Sequence, residues 1–113
     1  MNPPDPNEPL DALLREQILS MLQDGLQTEW RQRAYTSEAV NAIVAELRRF
    51  KPDDLCAKLR VAGFAAEPYV AADADISQAC ETCMYFELHR QFCGLPELMW
   101  PVKPEWSCRL WRI

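Results

Sequence analysis

Residues 80–113 read CETCMYFELHRQFCGLPELMWPVKPEWSCRLWRI and hold four of the five cysteines and three of the four tryptophans in this 113-residue chain. Prolines at 96, 101 and 104 forbid a long helix here, because each lacks a backbone donor and clashes with the preceding turn. Cys80, Cys83, Cys93 and Cys108 are spaced C-x2-C-x9-C-x14-C. The first pair is a two-residue chelate whose loop can turn both thiolates toward one ion or one cluster corner, and two single cysteines complete the set. Four thiolates suit tetrahedral Zn²⁺ or a cubane [4Fe–4S] cluster, so ligand count alone leaves both open.

Upstream, the composition is helical. Leu10, Leu13, Leu14, Ile18, Met21, Leu22, Leu26 and Trp30 recur at spacings of three and four and predict a helix over 10–33, with a break at Gly25 as an option. Thr36 or Ser37 offers an N-cap to a second helix with Val40, Ile43, Val44, Leu47 and Phe50 inward and Arg48 and Arg49 in its last turn. Pro52 opens a third, short helix with Asp53 and Asp54 in its first turn, Leu55, Cys56, Leu59 and Ala62 inward and Gly63 as its stop. The expected fold class is therefore mainly α: two or three N-terminal amphipathic helices, then a small irregular cysteine-rich module that binds a metal or cluster. The expected division is a disordered tail at 1–9, a helical region at 10–64, a connector at 65–79 that is partly extended at Tyr69 and Val70, and the four-cysteine module at 80–113.

Several functional classes recede on composition. No apolar run approaches the roughly 18 residues of a membrane span, and residues 1–9, MNPPDPNEP, lack the basic start and apolar stretch of a secretory signal. A cytoplasmic protein is expected, and in a reducing compartment clustered cysteines point to a metal or redox centre more than to disulfides. Net charge is −5, which disfavours phosphate backbones and anionic membranes as partners. The segment 30–66 is basic, and Arg31, Arg33, Arg48, Arg49 and Lys51 are the residues through which DNA would be contacted if it were.

The aromatic surroundings weigh on the choice of metal. Tyr85, Phe86 and Phe92 lie between the second and third cysteines, and Trp100, Trp106 and Trp111 flank the fourth. These six are the candidate shell of a cluster, whose potential responds to burial and to hydrogen bonds at sulfur. Structural zinc needs no such coat, and a zinc ribbon brings two C-x2-C pairs where this chain has one.

The segments CETCMYF and PVKPEWSC resemble the ligand segments of high-potential iron–sulfur proteins, a module that also occurs in small subunits of glycyl-radical enzymes such as benzylsuccinate synthase and 4-hydroxyphenylacetate decarboxylase. The likeness covers the last third of the chain. It implies that Cys80, Cys83, Cys93 and Cys108 ligate a [4Fe–4S] cluster, with Trp106 close before the last ligand.

Alternatives stand beside it. One zinc held by the same four cysteines would make the segment a structural knot in a protein-interaction adaptor or transcription-associated protein. Cys80, Cys83, His89 and Cys93 form C-x2-C-x5-H-x3-C, close to a zinc knuckle, though only Arg90 supplies nearby basic charge and Cys108 is left over. Disulfides or free thiols are the remaining option.

Other residues read as structural. His89 has no partner set for catalysis, Cys56 reads as a buried inert thiol, Arg109 and Arg112 as solvated charges, and Asp73 and Asp75 as loop charges. The tryptophans with Leu95, Leu98 and Met99 read as the module's own core, a partner-binding face being the alternative. No phosphate-binding glycine loop or nucleophile motif appears, so no catalytic residue is expected. The function read from the sequence is a small iron–sulfur accessory protein or subunit that transfers single electrons or supports a larger protein partner. The oligomeric state is left open.

Overall fold

Polar caps and glycines punctuate the helices. In a computed structural model, which describes residues 8–70 and 77–112, three helices form: α1 (Glu8–Gln23), α2 (Ser37–Leu47) and α3 (Leu55–Ala62). The Thr36 side chain accepts the Ala39 N–H to open α2, and the Asp54 side chain accepts the Ala57 N–H to open α3. Pro52 and Asp53 thus precede α3, and Arg48 is the C-cap of α2 with Arg49 beyond it, each a shift from the expected boundaries. Residues 1–7 of the expected tail, and 71–76 of the connector with Asp73 and Asp75, lie outside the described residues; Glu8 and Pro9 belong to α1.

The first helix is shorter than its apolar pattern predicts. It stops at Gln23, and Gly25 adopts φ +96°, a left-handed conformation that ends the helix. The chain beyond it is pinned to the far side of α3: the Thr28 hydroxyl donates to the Phe64 carbonyl at 2.7 Å, and the Glu29 N–H donates to the Arg60 carbonyl at 3.0 Å. Leu10 and Leu13, expected inward, are 69% and 70% exposed. The buried stripe of α1 is instead Asp11, Arg15 and Ile18. Arg15 donates through Nε to the Val102 carbonyl at 3.0 Å and through Nη2 to the Gln91 carbonyl at 3.0 Å, while Asp11 accepts from Arg90 at 2.8 Å. Hydrogen-bonded ion pairs can face a core when every polar atom finds a partner, a possibility that hydropathy alone does not register.

The four-cysteine segment is not irregular throughout. β1 (Phe86–Glu87), β2 (Phe92–Cys93) and β3 (Trp100–Pro101) form an antiparallel sheet in that order, with Phe86 opposite Cys93 and Cys93 opposite Trp100. The fold is thus three helices with a small sheet, which corrects the mainly α expectation. Each strand has two residues, too few for alternation to be read, although Phe and Trp favour the extended state. Helices and sheet share one buried core in which Ile18, Ile43, Leu47 and Leu59 join Phe64, Trp100, Val102 and Trp106.

Gly63 closes α3 at φ +68°, and a Cβ there would lie 2.9 Å from Arg109 Cγ and 3.0 Å from the Glu29 backbone. Gly63→Ala is expected to lower stability by about 1–2 kcal/mol from the left-handed conformation alone, with the backbone contact adding to it. Urea denaturation should show the midpoint falling further than for Gly25→Ala, where open space surrounds the added methyl. Equal midpoints would refute the close-approach argument.

Candidate metal centre

The four C-terminal cysteines are delivered by three segments that hydrogen-bond to one another. A 3-10 turn, Cys80–Thr82, brings the first pair together, with the Cys83 N–H donating to the Cys80 carbonyl at 3.0 Å. The Cys80 N–H donates to the Trp106 carbonyl at 2.6 Å, and the Met84 N–H to the Arg112 carbonyl at 2.7 Å, so the final segment is laid along the first. Cys93 comes from β2, where Gly94 N–H donates to the Tyr85 carbonyl at 2.8 Å.

Cys108 is held mostly by the helical region. Ser107 exchanges both backbone bonds with Ala65, the Arg109 N–H donates to the Ala62 carbonyl at 3.1 Å, and the Ala34 N–H donates to the Arg109 carbonyl at 3.2 Å. Arg109, expected to be solvated, also donates through Nε to the Val61 carbonyl at 2.7 Å, and burial pulls its pKa down.

Cys80, Cys83, Cys93 and Cys108 all line one cavity. Its deep side is formed by Phe64 and Val102 with the buried Cys80 and Cys108, and its open side by the half-buried Tyr85, Phe86 and Trp111 with Cys83 and Cys93. The cavity volume is about 300 Å³ counting the part open to solvent. Apart from sulfur, the lining is aromatic or aliphatic.

Burial is the main influence on the Cys80, Cys93 and Cys108 thiols. It pushes Cys80 and Cys108 well up, and the negative charges of the other cysteines push them the same way. Burial takes Cys93 up to about 12. Two backbone donors oppose it, the Leu95 N–H toward Cys93 and the Leu110 N–H toward Cys108, each two residues past its cysteine. Without a cation, four thiolates in this cavity would repel one another in a poorly solvated space; a metal centre supplies the compensating charge and replaces the protons.

Of the six expected shell residues, Tyr85, Phe86 and Trp111 line the cavity, and the Trp111 Nε1–H donates to the Thr82 hydroxyl at 3.0 Å. Phe92, Trp100 and Trp106 are buried and do not line the cavity: the two tryptophans belong to the shared core, and the Arg90 guanidinium covers the Phe92 ring at 3.8 Å from its centroid. Phe64 and Val102 complete the wall without having been singled out, and Phe64 meets Trp100 edge-on at 5.2 Å between centroids. Nothing in the local sequence marks Phe64; the pairing of Ala65 with Ser107 carries it there.

His89 is exposed and does not line the cavity, so the knuckle-like set is not gathered around it. Cys56, expected inward, is exposed because α3 turns Lys58, Leu59, Val61 and Ala62 to the core. The five cysteines form no disulfide with one another. Among the described residues, no three of His, Cys, Asp and Glu are grouped to hold a single metal ion, and no helix is long and apolar enough to cross a membrane. No family model, curated protein or solved structure matches the chain.

Proposed function

We propose that the chain is a small iron–sulfur accessory protein or subunit that holds a [4Fe–4S] cluster through Cys80, Cys83, Cys93 and Cys108 and serves a larger protein partner, in the cytoplasm and without catalytic residues of its own. The observation that carries this reading is that these four cysteines, and not Cys56, face one cavity lined otherwise by aromatic and aliphatic side chains. The donor set fits. Soft thiolates, backbone N–H groups aimed at two of the sulfurs and a water-poor wall are the features by which a protein holds and tunes such a centre.

The arrangement favours a cluster over one zinc. Structural zinc, which draws four sulfurs to about 2.3 Å from a single point, needs no aromatic coat, whereas Tyr85, Phe86 and Trp111 stand with Phe64 and Val102 around these thiols. Cys80, Cys83, Cys93 and Cys108 would hold the cluster, with the half-buried Tyr85, Phe86 and Trp111 between it and solvent. When bound, such a cluster supplies one-electron transfer. The DNA reading loses support, because Arg48 pairs with Glu97 at 2.9 Å and Arg33 is turned inward.

Metal and acid-labile sulfide analysis with a visible spectrum, on protein purified without air, tests the proposal. Iron and sulfide at about four each per chain are expected for a cubane. One zinc per chain and no colour would replace it with the zinc-stabilised adaptor.

A further inference from the structure

Arg33 lies in the loop between α1 and α2, far in sequence from every cysteine of the cavity, yet it grips the last of them. Its Nη2 donates to the Cys108 carbonyl at 2.9 Å and to Gln78 Oε1 at 2.6 Å, and its Nη1 donates to the Trp30 carbonyl at 2.9 Å. The guanidinium lies over the Tyr69 ring at 4.0 Å from its centroid. Its Nε is buried and has no hydrogen-bond partner among the described residues. Every one of these contacts is with a neutral group, and none of the ion pairs among the described residues includes Arg33. Among the described residues, the positive charge is therefore held in place without an ion-pair partner.

A partly buried cation without a carboxylate partner is costly unless another anion offsets it. Here the nearby anion would be the Cys108 thiolate, which the Arg33 charge favours. Gln78 fixes the guanidinium from the other side, and its own Nε2 donates to the Tyr35 hydroxyl at 3.2 Å.

We propose that Arg33 is a positioning residue that raises the reduction potential of the centre ligated by Cys108, by holding a positive charge, paired with no carboxylate among the described residues, against that ligand's backbone. The inference rests on the iron–sulfur reading. Reduction adds one electron to the centre and makes it one unit more negative, with no bond broken and no proton taken up, whichever couple operates. A fixed cation stabilises the more negative state, so its removal lowers the potential. Water entering the site would also stabilise the more negative state, so structural loosening would shift the potential upward.

A mediated redox titration, with dithionite as reductant and ferricyanide as oxidant, reads this directly alongside iron and sulfide content. Arg33→Gln is expected to shift the ratio of reduced to oxidised protein at a fixed poise about tenfold toward oxidised, which is ~59 mV for a one-electron couple. Gln78→Glu, which keeps Arg33 in place but sets a carboxylate against it, is expected to lower the potential in the same direction and serves if Arg33→Gln does not fold. Arg33→Lys, retaining the charge, is expected to stay near the unaltered protein. A loaded Arg33→Gln or Gln78→Glu protein at the original potential or above it would overturn the inference and leave the cluster standing, as would an Arg33→Lys drop equal to that of Arg33→Gln. Absence of iron from the unaltered protein would remove both.

Discussion

Cys108→Ser protein purified without air is expected to carry almost no iron or sulfide and to melt more than about 10 °C below the unaltered chain, given roughly 4–8 °C per kcal/mol for a domain of this size. The effect is large because ligand binding and folding are one equilibrium at such a site. Cys108 lies on the deep side of the cavity, next to Ser107 and Arg109, whose backbones are tied to Ala65, Ala62 and Ala34. A serine keeps those ties but replaces a soft thiolate with a hydroxyl that does not ionise in this range. Cys56→Ser, at an exposed thiol, is expected to retain full iron and an unchanged melting temperature. Iron analysis and thermal denaturation of the pair check the assignment, and a fully loaded Cys108→Ser protein would end it.

Phe64→Ala is expected to cost about 3–5 kcal/mol and to shorten the life of the centre in air severalfold. The ring is buried, meets Trp100 edge-on, and forms part of two walls: that of the thiol cavity and that of a groove between the end of α1 and residues 64–67, where Leu22, Leu26 and Trp30 also stand. Deleting it removes packing and joins the two spaces, so water and oxygen gain a second approach to Cys80 and Cys108. Phe64→Leu separates the effects, since it keeps most of the volume while losing the flat ring. Bleaching of visible absorbance in air should be faster in Phe64→Leu than in the unaltered protein, with a smaller stability loss than in Phe64→Ala. Equal bleaching would mean that the ring packs the core without sealing the site.

The second and third helices were legible in the sequence because Thr36 and Gly63 act locally, a cap or stop needing only its own few neighbours, although Asp54, expected in the first turn of α3, is its N-cap. The four C-terminal cysteines stood out as a spacing, and the same four line one cavity. What sequence reasoning missed is non-local. Nothing in the apolar spacing of α1 singles out Arg15 and Asp11, whose partners are the carbonyls of Gln91 and Val102 and the guanidinium of Arg90, far along the chain. Gln91 and Met99 take left-handed conformations at φ 52° and 48°, which nothing in their residue type announces. Phe64 and Arg33 reach the site only through backbone pairings with residues 107–109, and no periodicity records such a pairing.

The Ala65 and Ser107 pairing also bears on how transferable the thiols are. Many small metal sites can be grafted as a peptide, since the metal organises a loop that carries its own surroundings. Here a fragment spanning residues 80–112 would keep the thiols but forfeit the floor of their chamber, which Phe64 supplies, and the strap across the final cysteine, which residues 33–34 and 62–65 supply. The cavity belongs to the tertiary structure, and a chimaera that borrows the cysteines must borrow the third helix and its exit along with them.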